Sequence, residues 1–216
     1  MYKLAVLLSG RGSNFEAIQN AIESGFIKNG SIVVVISNRA EARGLTLAKQ
    51  KGLNAVFLDP QGKSREDYDS EVVKILKERG VDFVLLAGYM RILSPYFIKS
   101  FKDRILNIHP SLLPSFRGLH AQRQAVESGV KFSGATVHFV TEKLDDGPII
   151  VQSVVPVFSD DSEESLSKRI LKTEHKIYPL AVKLLTEDRV RIENGRVKVD
   201  WREPEEFFIT NPEVGG

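Results

Sequence analysis

The chain has 216 residues, 42% hydrophobic and 27% charged, with 30 basic against 28 acidic side chains and a net charge of +2. That length suits one domain with a substantial core, and the near balance of charge carries no nucleic-acid signature. Having no cysteine, the chain excludes disulfides, thiolate nucleophiles, iron–sulfur clusters and cysteine-ligated zinc, while its apolar start is too short for a membrane span and lacks a signal-cleavage pattern, so a cytoplasmic protein without membrane partners is expected.

Apolar runs alternate with amphipathic ones from the first residue, the pattern of a mostly parallel sheet covered by helices. Leu4 to Leu8 reads as a strand and Asn14 to Ser24 as a helix with Phe15, Ile18, Ala21 and Ile22 on one face. Ile32 to Ile36 is the second strand, Leu45 to Gln50 a helix, and Ala55 to Leu58 a short strand. A long helix opens at Ser64, with Ser64 and Asp67 as its capping pair and Tyr68, Val72, Ile75 and Leu76 inward. Phe83 to Leu86 and Arg104 to Ile108 are further strands, separated by a short helix at Pro95 to Ser100.

After a helix at Gln122 to Ser128 the rhythm changes. Gly134 to Val140 and Pro148 to Val157 are consecutive strands joined by a short loop, which predicts antiparallel pairing and a mixed sheet. Ser162 to Leu185 is helical, with Pro179 expected to kink or divide it. Arg189 to Val199 pairs around Asn194-Gly195 as a hairpin, and the residues from 201 on read as a surface tail.

Three segments carry chemistry. Ser9-Gly10-Arg11-Gly12-Ser13-Asn14 joins the first strand to the first helix, so its amides suit an anion cradle; the plainer reading is a turn with Asn14 as N-cap. It matches half of a dinucleotide fingerprint, but Phe15 stands at the third glycine and Ser37-Asn38-Arg39 offers no ribose-binding acid, which favours a phosphate-bearing substrate over a nicotinamide cofactor. Ile105 to Pro114 is an apolar strand whose polar residues, Asn107 and His109, project from one face and end at a proline, where parallel sheets bind ligands. Leu144-Asp145-Asp146-Gly147-Pro148 supplies loop carboxylates; beside the strand, one of them would orient His109 and favour its protonated form. The remaining histidines form no zinc spacing, His138 reads as structural, and Glu174-His175 reads as a solvated helix face.

Taken in order, these motifs, together with Tyr178-Pro179, resemble the folate-dependent formyltransferases, and within them the phosphoribosylglycinamide formyltransferases, over essentially the whole chain. The tRNA-directed relatives carry a further basic domain, and the formyltetrahydrofolate hydrolases a preceding regulatory one. The resemblance implies an α/β, Rossmann-like, mostly parallel twisted sheet with helices on both faces and antiparallel strands in the C-terminal half. It implies a single formyltransferase domain over 1–216, with 1–100 as the phosphate-binding half, 101–200 as the catalytic and folate-binding half, and 201–216 as the tail.

The implied reaction moves the formyl group of 10-formyltetrahydrofolate, a co-substrate, onto the glycinamide amine of the ribonucleotide in purine biosynthesis, without a metal. Asn107, His109 and Asp145 match the catalytic trio, Gly12, Ser13, Asn14 and Glu174 the ribonucleotide site. Arg65, Met90, Arg91, Ile92, Leu93, Asn107, Thr141, Glu142, Lys143, Leu144 and Asp145 match the folate site. Asp146 falls where the family varies, leaving open which aspartate acts. The expected partners are small molecules, with the chain a monomer or homodimer. Two alternatives stand beside this reading: a formyltetrahydrofolate hydrolase-like enzyme, and a non-enzymatic binder of phosphorylated ligands.

Overall fold

The computed structural model describes residues 1–201 and 211. Its main sheet has seven strands in the order β3-β2-β1-β4-β5-β6-β7. The first five, β1 (Tyr2–Leu8), β2 (Gly30–Ser37), β3 (Ala55–Phe57), β4 (Phe83–Leu86) and β5 (Ile105–His109), are parallel. The last two, β6 (Phe132–Phe139) and β7 (Ile149–Pro156), are antiparallel, as the short connection between them predicts.

Strand alternation divides the core between two faces. Leu4, Val6 and Leu8 of β1, with Leu106 and Ile108 of β5, pack in one layer with Phe15 and Ile18 of α1 (Ser13–Glu23) and with α6 (Glu163–Thr186). Ala5 and Leu7, with Val84, Leu86 and Ile105, pack in the other against α3 (Arg65–Glu78) and α4 (Pro95–Ser100). The shorter helices are α2 (Arg43–Gln50) and α5 (Ala121–Glu127). At the start of α3, Ser64 accepts the Asp67 N–H, the anticipated cap.

Pro179 lies inside α6, which runs unbroken past it. A proline in a helix interior costs about 3 kcal/mol, and α6 offsets that by burying Leu166, Ile170, Tyr178, Ala181 and Val182. Strands β8 (Val190–Glu193) and β9 (Arg196–Val199) form a separate hairpin about Asn194-Gly195. Most of the tail reading falls outside the described residues, although Asn211 Nδ2 donates to the carbonyls of Lys131 and Val157.

This topology places the site. Strand order reverses between β1 and β4, and the segments after β1, β4 and β5 leave the same carboxyl edge side by side. Such a reversal opens a crevice where open α/β sheets take ligands.

Candidate active site

At the end of β1 the chain turns at Gly12, whose left-handed backbone (φ 79°) caps α1 without any side-chain hydrogen bond. Gly12, rather than Asn14, is therefore the N-cap. A Cβ on Gly12 would stand 2.7 Å from the Gly44 Cα, because α2 packs directly on this loop. Glycine thus serves both the turn and the close approach. The first amides of α1 remain free to face an anion.

Asn14 points into the molecule, where its Nδ2 donates to Glu174 Oε2 over 2.7 Å. Glu174 is buried on α6 and not on a solvated face. Burial pushes its carboxyl above the ordinary range, opposed by the Asn14 amide. The α6 helix also brings Tyr178, one turn further on, beneath the sheet edge, where its hydroxyl reaches the carbonyls of Leu86 and Leu106.

On β5, Asn107 and His109 share the face opposite Leu106 and Ile108. The antiparallel register sets His138 of β6 beside Asn107 and Thr136 beside His109. His138 Nδ1 lies 2.8 Å from the Phe139 carbonyl, which can only accept, so this nitrogen carries the proton. The lone pair on Nε2 then faces the Asn107 amide nitrogen at 3.3 Å. Burial holds the His138 pKa below its ordinary value, in keeping with a neutral ring.

His109 is nearly closed from solvent. Its Nε2 donates to the Phe116 carbonyl over 2.8 Å, and its Nδ1 faces Asp145 Oδ2 at 3.4 Å. Asp145 Oδ2 also accepts the Gly118 N–H over 2.9 Å, while Oδ1 stands 3.9 Å from His138 Nε2. Asp145 thus faces both histidines, whereas Asp146 turns outward to Arg117 and Lys143. Phe116 and Asp145 both adopt left-handed backbones, φ 54° and 48°. Such strain persists where surroundings over-determine it, and here Thr136 supplies part of that hold. Its hydroxyl donates to the Ser111 carbonyl and accepts the Leu113 N–H, pinning the loop that carries Phe116 and Gly118.

Residues 90–93 divide between surface and core. Met90 and Ile92 are 63% and 64% exposed, beside buried Leu93. The Arg91 guanidinium lies 4.3 Å from the Tyr68 ring centroid, and Asp69 accepts the Ser94 N–H. Met90 and Ile92 therefore are not core, and offer apolar surface at the crevice. Arg65 is exposed at the first turn of α3. Glu142, Lys143 and Leu144 are exposed on the loop that brings in Asp145, and Thr141 donates to the Lys143 carbonyl.

Sequence reasoning missed His138, Thr136 and the Phe116 carbonyl. The first two become visible only through the register of β6 on β5, and the third only once the loop after Pro110 is folded. Among the described residues no group of three His, Asp or Glu side chains could hold a metal ion, and no helix is long and apolar enough to cross a membrane.

The chain is 44% identical over 198 residues to the phosphoribosylglycinamide formyltransferase of Escherichia coli, covering 91% of this chain and 93% of that one. A crystal structure of glycinamide ribonucleotide transformylase 1 from Symbiobacterium toebii superposes with a TM-score of 0.90 at 50% identity, covering 92% and 94% of the two chains. A formyltetrahydrofolate deformylase from Pseudomonas syringae shares the fold at a TM-score of 0.85 and 31% identity, over 92% of this chain and 65% of its own. The formyl transferase family model matches residues 2–182, and the chain belongs to that family.

Proposed function

We propose that this chain is a phosphoribosylglycinamide formyltransferase, moving the formyl group of 10-formyltetrahydrofolate to the amine of 5′-phosphoribosylglycinamide in purine biosynthesis. The observation that carries the reading is the single wall formed by Asn107, His109 and Asp145, facing the same sheet edge as the amides at Gly12 to Asn14. An anion cradle beside proton-handling groups suits a phosphorylated nucleophile and an acyl donor.

The glycinamide nitrogen attacks the formyl carbon, and the carbonyl oxygen becomes an oxyanion. The carbon–nitrogen bond to the folate then breaks, one proton leaves the amine, and one is gained by the folate nitrogen. His109 handles these protons at Nδ1, the ring nitrogen not committed to the Phe116 carbonyl, with Asp145 orienting the ring. Asn107, steered by neutral His138, presents its amide to the oxyanion. Removing such a donor elsewhere costs about 2.7–4 kcal/mol.

The ribonucleotide is assigned to Gly12, Ser13, Asn14 and Glu174. The folate is assigned to Arg65, to Met90 through Leu93, and to Asn107 and Thr141 through Asp145, with Met90 and Ile92 against the pterin. In this reading residues 1–100 supply the phosphate-binding half of one domain and 101–200 the catalytic half, and the chain acts in the cytoplasm as a monomer or homodimer. Asp145 is the acting carboxylate, because Asp146 is engaged by Arg117.

The likeness to the Pseudomonas syringae deformylase favours water as a second acceptor on this fold. An absorbance assay of 10-formylfolate consumption, with and without the ribonucleotide, separates the readings. Consumption that requires the ribonucleotide supports transfer. Equal consumption without it would establish the hydrolase, and none in either case would overturn both.

A further inference from the structure

The proposed reaction joins two substrates held by different segments: the ribonucleotide by the loop after β1, the folate by the segment after β4. Attack requires the amine within about 3–3.5 Å of the formyl carbon, so the two segments must be registered to each other. One buried residue joins them. Ser9, 3% exposed, directly precedes the glycine loop. Its N–H donates to the Gly88 carbonyl over 3.0 Å. Its hydroxyl accepts the Met90 N–H over 2.8 Å and donates to Asn38 Oδ1, at the end of β2, over 2.6 Å.

Among the described residues, no other side-chain hydrogen bond runs between residues 9–14 and 87–94. The far end of the second segment is fixed independently, by the Ser94 N–H on Asp69 and by Arg91 over Tyr68. The near end, where exposed Met90 meets the crevice, depends on Ser9. The hydroxyl donates one bond and accepts one at this position. Asn38 takes its only proton, so toward Met90 the oxygen can act only as an acceptor.

We infer that Ser9 is a positioning residue for formyl transfer, its hydroxyl registering the Met90 backbone against the phosphate loop so that amine and formyl carbon meet. The inference rests on the transferase reading above. Removing the oxygen leaves the Met90 amide and the Asn38 side-chain carbonyl without their partner; Gly88 stays held by the Ser9 N–H, so the change loosens Met90 alone, between that anchor and Arg91. A formyl group out of register with the amine is open to water instead.

The test is steady-state kinetics of Ser9→Ala with both substrates, counting formyl groups delivered to the ribonucleotide against formyl groups lost to water. Thermal unfolding of each variant runs alongside. The expected result is a kcat at least tenfold below wild type, a ribonucleotide KM changed less than threefold, and a severalfold larger share of formyl groups lost to water. Asn38→Ala, which removes only the acceptor that orients the Ser9 proton, should give the same changes at smaller size. It decides by the same ratio if Ser9→Ala does not fold. A kcat within twofold of wild type, or a kcat loss with an unchanged ratio, overturns the inference while leaving the transferase reading intact. Absence of transfer by the wild type overturns the reading and the inference together.

Discussion

The loop after β1 and the wall on β5 and β6 stand at the same sheet edge but are built from different materials. At Gly12 to Asn14 the groups left free are backbone amides, and the requirement on sequence is for an absent side chain, since Gly12 is left-handed and pressed against Gly44. At Asn107, His109, His138 and Asp145 the groups are side chains, held by the Asn107–His138 contact across the strands, by the Phe116 and Phe139 carbonyls that accept from the two histidines, and by the Gly118 N–H. A backbone site is broken by adding atoms, and a side-chain site by removing polar ones.

The sharpest way to break that contrast is at the wall. His109→Ala, or Asp145→Ala, is expected to lower kcat by roughly a hundredfold to ten-thousandfold, the usual worth of a positioned acid–base group. Both KM values should change by only a fewfold. Near-normal turnover in both variants would remove the proton-handling role from this pair.

The matching change at the loop is Gly12→Ala. One methyl group would meet backbone at 2.7 Å in a conformation that disfavours any Cβ. The loop must shift, so the ribonucleotide KM should rise at least tenfold while kcat at saturation stays within a fewfold. The strain should cost about 1–3 kcal/mol in a urea titration. An unchanged KM would mean that the phosphate is held elsewhere.

How much of this was legible in the sequence follows the same division. The strands, the glycine turn and the shared face of Asn107 and His109 follow from local rules: period two in a strand, proline at its end, glycine where φ is positive. Lying in an apolar strand, His138 reads as structural from the sequence; its place beside Asn107 is a cross-strand fact, set by an antiparallel register that shifts between Val137 and His138 on the β7 side. On its own helix Glu174 reads as a solvated residue, and only the family resemblance marks it for the ribonucleotide, because its partner Asn14 is 160 residues away and only the packing of α6 on α1 joins them. Pro179 misled for a related reason, since long-range burial of α6 outweighs a local helix penalty.

Neutral His138 makes the wall sensitive to acid. Burial holds its pKa below the ordinary 6.5, so the unfolded chain takes up its proton first as pH falls through 6.5. The stability associated with the neutral ring is complete above that pH and declines below it. His175, also held low by burial, acts with the same sign. Urea midpoints between pH 7.5 and 5 measure the slope, and His138→Gln should flatten it. A slope unaltered by the substitution would mean that His138 titrates alike in both states.

The smallest effect is expected at Asp146, and it separates the two adjacent aspartates. Asp146 pairs with Arg117, but both side chains are partly open to water, at 30% and 42% exposure, where such pairs contribute about 0–1 kcal/mol. Asp146→Asn should therefore change kcat no more than about fivefold, the rate equivalent of 1 kcal/mol. Since an exposed pair is screened by salt, raising ionic strength should bring the wild type towards the variant. Asp145→Asn keeps the shape of its side chain yet removes the charge facing His109 and His138, and its loss should approach that of Asp145→Ala. If the two asparagine variants lost activity equally, the carboxylates would be acting as one charged loop, and the distinction between a buried orienting group and an exposed strap would fail.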